Sequence, residues 1–84
     1  MQLNSLKPGD AAMIASINAE QALHLRLNAL GFRPGKRLQV IRQAAFNGPL
    51  HVRIGSTDVI IRQRDAQAIQ LDPASLFTQE SNPA

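Results

Sequence analysis

The ten residues Arg26-Leu27-Asn28-Ala29-Leu30-Gly31-Phe32-Arg33-Pro34-Gly35 constrain the fold of this chain more than any other segment. They read as the end of a helix, a glycine stop, and a Pro-Gly corner that launches a strand. Leu23, Leu27 and Leu30 fall at i, i+4 and i+7, one apolar stripe of a helix. Gly31 stands where the left-handed residue beyond a helix end belongs. Phe32 then packs back on Leu27, as in a Schellman motif. Asn18 is placed to cap the start, with Gln21 reaching back as in a capping box and Glu20 in the first turn, where the helix dipole favours an anion. A helix of about 12 residues is marginal alone. Burial of the leucines, at roughly 1.5–3 kcal/mol each, is therefore what holds it.

The remaining segments read as short strands. Lys7-Pro8-Gly9-Asp10 is a turn signal, and residues 11–17 follow it as a strand. Arg33-Pro34-Gly35-Lys36 repeats that arrangement before a strand at 37–42. Ala44 to Gly48 form a loop in which Asn47-Gly48 is the turn signal. Leu50, Val52 and Ile54 alternate with His51 and Arg53, a half-buried strand. Gly55-Ser56 is a two-residue hairpin loop with Gly first, and the return strand runs from Thr57 to Arg62. One helical turn at 64–67 and a last strand at 68–71 complete the set. The fold class expected is mainly β: a small barrel of about five strands, with one α-helix inserted between the first and second long strands. Closing a small twisted sheet buries one face and hides its edges. Residues 1–72 make the barrel domain. Residues 73–84 are polar, hold two of the prolines, and are expected to be a flexible tail to which Leu76-Phe77 adds a weak docking point.

Length and composition exclude several functions. Eighty-four residues hold one small core and no cleft between lobes. With no cysteine, disulfides, thiolate metal sites and thiol catalysis are excluded. Met1-Gln2-Leu3-Asn4 shows no secretory signal, and no apolar run approaches the roughly 20 residues of a membrane span. A membrane role is thus expected only through a partner, and the expected location is cytoplasmic. Nine Lys and Arg against four acids leave residues 1–71 at +5, and Asp72 and Glu80 bring the whole chain to +3.

Catalytic and metal constellations are sparse. His24 falls on the helix and His51 on an outward strand position, and a zinc or ferrous site wants three or four ligands at set spacing. Asp58 and Asp65 do not form a matched acid–base pair, and no glycine-rich phosphate loop is present. No enzyme activity and no cofactor are expected. Arg37, Arg42, Arg53, Arg62 and Arg64 come from strands expected to adjoin and offer one basic face. Nucleic-acid-binding barrels usually add exposed aromatics for stacking, whereas here Phe32, Phe46 and Phe77 do not interleave with the arginines. Phe46, in its loop, either folds back on the barrel or anchors a partner.

Taken together, the chain resembles the ferrous iron transport protein A (FeoA) family, small domains with an SH3-like barrel. The resemblance runs from Leu6 to Leu71. It rests on Leu6-Lys7-Pro8-Gly9, Arg26-Leu27, Leu30-Gly31-Phe32, Pro34-Gly35, Pro49-Leu50-His51-Val52, and Ile61-Arg62 with Asp65-Ala66 and Ile69. One segment departs from the family: Ala44-Ala45-Phe46-Asn47-Gly48-Pro49 stands where members usually read Ala-Pro-Leu-Gly-Asp-Pro. The resemblance implies a cytoplasmic accessory that docks on the FeoB permease and modulates ferrous iron uptake; it does not imply that the chain itself binds iron or hydrolyses GTP. The same barrel closes iron-dependent repressors, but this chain lacks their helical DNA-binding part. The expected docking residues are Leu27, Leu30, Gly31, Phe32, Pro34, Gly35 and Phe46, with Leu27 also serving the core. The alternative is a nucleic-acid-binding small barrel that uses the arginine face. Self-association is left open.

Overall fold

The computed structural model describes residues 1–78. A 3-10 turn at Leu3–Ser5 precedes β1 (Asp10–Ile17), α1 (Gln21–Ala29), β2 (Arg37–Gln43), β3 (Leu50–Ile54), β4 (Thr57–Ile61), α2 (Gln63–Ala66), β5 (Ile69–Leu71), a second 3-10 turn at Pro73–Ser75, and β6 (Phe77–Thr78). All strand pairings are antiparallel, in the order β4-β3-β2-β1-β5, with β6 on β1. This is an SH3-like barrel of six strands. β4 and β5 do not pair, and α2 lies between them in the chain.

β1 serves two layers because it bulges. Ala11 to Met13 pair with β2, then the register shifts between Ile14 and Ser16, and Ile14 to Ile17 pair with β5. A second bulge, between Val40 and Arg42, bends β2 over β3. Bulges of this kind tighten twist, which lets so few strands curl around a core. That core holds Leu3, Leu6, Ile14, Leu27, Phe32, Leu38, Val40, Leu50, Val52, Ile69 and Leu71 among others, and no polar side chain is buried in it among the described residues. β3 buries Leu50, Val52 and Ile54, the alternation expected from its sequence.

The two Pro-Gly corners are the same turn. Asp10 N–H donates to Lys7 C=O at 2.9 Å, and Lys36 N–H donates to Arg33 C=O at 3.1 Å. Gly9 and Gly35 have φ of +95° and +88°, so each corner is a type II turn with proline second and glycine third. Each glycine amide also crosses to the other strand. Gly9 N–H donates to Val40 C=O, and Gly35 N–H donates to Ile14 C=O, both at 2.8 Å. The residues at the same places in the two units, Leu6 with Phe32, Ala12 with Leu38 and Ile14 with Val40, are all buried.

Two expectations need correction, and a third region is described in part. The helix starts at Gln21 with Glu20 as its cap residue, and no side chain caps it. Asn18 is instead held by the sheet, its N–H donating to Ala68 C=O at 2.7 Å. In the loop the positive φ falls on Phe46 (61°) and Asn47 (58°), while Gly48 is not left-handed. Gly48 is required by space: a Cβ there would stand 2.7 Å from the Ala44 Cβ. The expected flexible tail, 73–84, is built up to Thr78. Asp72 N–H donates to Met13 C=O at 2.9 Å, Ser75 Oγ accepts from Met13 N–H at 2.7 Å, and Phe77 pairs with Ala11. Its remainder lies outside the described residues.

Candidate functional site

The helix end forms as its residues dictate. Phe32 N–H donates to Leu27 C=O and Gly31 N–H to Asn28 C=O, both at 3.0 Å, the two bonds of a Schellman motif. Gly31 has φ +104°, a conformation open mainly to glycine. Phe32 and Leu27 both lie within the core cluster. Two of the expected docking residues are therefore interior, and Gly31, Pro34 and Gly35 set the course of the chain. Leu30 differs from its stripe partners. Leu27 is buried and Leu23 half-buried, but Leu30, at the helix C-cap where Gly31 turns the backbone away, is 41% exposed.

Leu30 sits between two shallow depressions. One, about 350 Å³, runs between the C-terminal end of α1 and β4, with Arg26, Leu27 and Leu30 facing Ile60, Ile61 and Arg62. The other, about 240 Å³, lies between the Gly31 corner and the β3–β4 hairpin. Ile60, 67% exposed, also lines a third depression with Ala44, Pro49, His51 and Arg42. Ile60 is shared by the first and third of these depressions, so Leu30, Ile60, Pro49 and Ala44 lie along one apolar strip edged by Arg26, Arg62, Asp65, Arg42 and His51.

Phe46 lies in the 44–49 loop that leads to Pro49 and is fully exposed. Its loop is pinned. Ala44 N–H donates to Pro49 C=O at 2.9 Å, Gly48 N–H reaches Ala44 and Ala45 C=O at 3.2 Å, and Gln63 Nε2 donates to Gly48 C=O at 2.9 Å. A phenylalanine at positive φ inside so tied a loop carries backbone strain of about 1–3 kcal/mol. The ring recovers none of that by burial. Of the two sequence expectations for Phe46, the ring folded back on the barrel is not what the structure shows. Ile60 is not among the expected docking residues; its alternation with buried Val59 and Ile61 turns it outward.

The five arginines do not share one face. Arg37 and Arg53 line a depression on the outer sheet with Phe77, whose ring centroid lies 5.8 Å from the Arg37 guanidinium. Arg42 and Arg62 border the apolar strip, in separate depressions. Arg53 is engaged by Asp58, with Nε to Oδ1 at 2.8 Å and Nη2 to Oδ2 at 3.1 Å. His51 Nε2 comes within 3.1 Å of Asp58 Oδ2. Hydrogen bonding from Arg53, then from His51, pulls the Asp58 carboxyl down to about 2. Arg26 and Asp65 join α1 to α2 at 3.7 Å. Among the described residues no three His, Cys, Asp or Glu side chains gather as a metal site, and no helix is long and apolar enough to cross a membrane.

Comparison with known proteins agrees with this architecture. The FeoA domain family matches residues 1–73. An Fe(2+) transport protein A of Campylobacter jejuni subsp. jejuni is 35% identical over 72 residues, which cover 86% of this chain and 97% of that one. A Porphyromonas gingivalis protein that fuses Fe(2+) transport protein A to the Fe(2+) transporter FeoB is 31% identical over 72 residues, 86% of this chain and 8% of the fusion. Stenotrophomonas maltophilia FeoA, an SH3 domain protein solved with zinc, superimposes with a TM-score of 0.83 at 28% identity, covering 93% of this chain and 96% of that one. From the corner residues, the barrel they launch and these relatives together, the chain belongs to the FeoA domain family of ferrous iron transport.

Proposed function

We propose that this chain is a cytoplasmic, non-enzymatic accessory that docks on the cytosolic part of an FeoB-type ferrous iron permease and modulates uptake. The observation that carries the reading is the fused relative, in which a matching segment and FeoB share one polypeptide. Fusion raises the effective concentration of two modules for each other, and is useful only where they meet. The docking surface is the apolar strip from Leu30 through Ile60 and Pro49 to Phe46. An aromatic side chain held out on a fixed frame is a common anchor of protein contacts, and the aliphatic side chains around it exclude water. Leu27, Gly31, Phe32, Pro34 and Gly35 act beneath it, as the frame.

The test is binding of the tagged chain to the full permease in mild detergent. Leu30→Ser and Phe46→Ser should each weaken binding by about tenfold with the melting temperature unchanged. Equal affinity in both variants would move the contact elsewhere on the barrel. A permease that never binds the native chain would end the reading.

A further inference from the structure

The sheet covers its edges unevenly. The outer edge of β1 is occupied along its length by β5, β6 and the Ser75 hydroxyl. The far edge of β5 is bridged by Gln2, and Met1 C=O accepts from Leu71 N–H at 2.6 Å. β4 has no such cover. In a two-residue hairpin the closing pair, Ile54 and Thr57, is hydrogen-bonded, and bonded pairs then alternate with non-bonded ones. Thr57, Val59 and Ile61 thus bond to β3, while the N–H and C=O groups of Asp58 and Ile60 point away from it. Among the described residues no backbone group meets them.

Exposed edges are ordinarily blunted by proline, lysine, a bulge or a covering element. β4 contains neither Pro nor Lys, and its register with β3 is unbroken. Its one charged side chain, Asp58, is turned onto Arg53 of the neighbouring strand. Beside this edge runs the depression against α1, with apolar walls at Leu30 and Ile60. Its cations are Arg62, which has no carboxylate within ion-pair reach among the described residues, and Arg26, which has only Asp65 at 3.7 Å.

We infer that β4 receives an added strand: an extended segment of the transporter's cytosolic part, laid between β4 and α1. The inference rests on the docking proposed above and specifies its form. The segment's main chain bonds to Asp58 and Ile60, which gives affinity without regard to sequence. One apolar side chain seats between Leu30 and Ile60, and an acidic residue meets Arg62. Strand addition of this type draws specificity from alternate side chains.

Hydrogen exchange of this chain, free and bound to the full permease in detergent, tests the inference. Binding should slow exchange in peptides covering 57–62 by about tenfold or more. Arg62→Glu should weaken binding by about tenfold. Ile60→Pro removes an amide that makes no internal bond, and should abolish binding while the circular dichroism stays native. Should that proline unfold the barrel, Arg62→Glu and the exchange data still decide. Tight binding with unchanged exchange along β4 would leave the docking intact and overturn strand addition. Absence of binding by the native chain would overturn both. Protection of 57–62 that appears on concentrating the chain alone would assign the edge to a second copy and overturn the inference.

Discussion

The helix-end corner and the β2–β3 loop are both short links that follow regular elements, yet they use their large side chains in opposite ways. At the corner, Leu27 and Phe32 are driven inward, and glycine takes the left-handed position. In the loop, an aromatic ring takes the left-handed position itself and is held wholly in solvent. The corner follows the rule that burial and backbone preference agree. The loop breaks both at once, and a local violation of this kind marks a working surface more often than a structural one. Proximity in sequence to a motif therefore does not make a residue a contact: the corner is largely interior, whereas Leu30 and Phe46, the contacts proposed above, are exposed.

Substitutions can sharpen or break this contrast. Leu27→Ala should have the largest effect, lowering stability by about 2–5 kcal/mol through loss of burial and the cavity left behind, read by denaturant unfolding. A loss well under 1 kcal/mol would mean that the corner is surface after all. Gly31→Val should follow at about 1–3 kcal/mol, since a β-branched residue is poor at a φ of +104°. An unchanged melting temperature would contradict the Schellman corner. Phe46→Gly should go the other way, raising stability by up to about 1 kcal/mol as strain is relieved, while weakening the permease contact. A marked loss of stability would show that the ring supports the loop.

The smallest effect should come from Asp58. Its carboxyl is held near 2, below its ordinary 3.8, by Arg53 first and His51 second. A depressed folded value stabilises the fold fully above the unfolded value, near pH 4, and that contribution is lost as pH falls toward 2. Asp58→Asn should therefore flatten the acid limb of stability between about pH 4 and 2 and leave neutral stability little changed, because the pair is exposed and screened. An acid limb identical to that of the native chain would place the sensitivity elsewhere.

Much of the fold was legible because several signals coincided. Leu50 to Ile54 alternate with period two and end at a glycine-first turn, so the strand bounds came out as read. The Gly31 stop and both Pro-Gly corners rest on backbone preferences that tertiary contacts do not override. The helix start was misjudged because Asn18 suits a cap and a strand end equally, and pairing with Ala68 decided it. The contacts of the first tail residues, a serine hydroxyl and a two-residue strand, leave no periodicity in the sequence. Leu30 reads in the sequence as one of an inward stripe, and its exposure comes from its place at the helix C-cap, where Gly31 turns the chain. Ile60 was not found, since exposure of one aliphatic residue has no sequence mark until its neighbours in space are known.

The reciprocal amides of the two Pro-Gly corners carry a consequence for how the barrel comes apart. Gly9 is anchored on β2 and Gly35 on β1, so each turn is held closed by the strand that the other turn launches. Both ends of the short β1–β2 ladder are therefore pinned, and fraying from either end must first break a glycine amide bond. The β1–β2 pair therefore opens as a single cooperative unit, and the two glycine amides, 26 residues apart in a repeated unit, act as one latch with two ends.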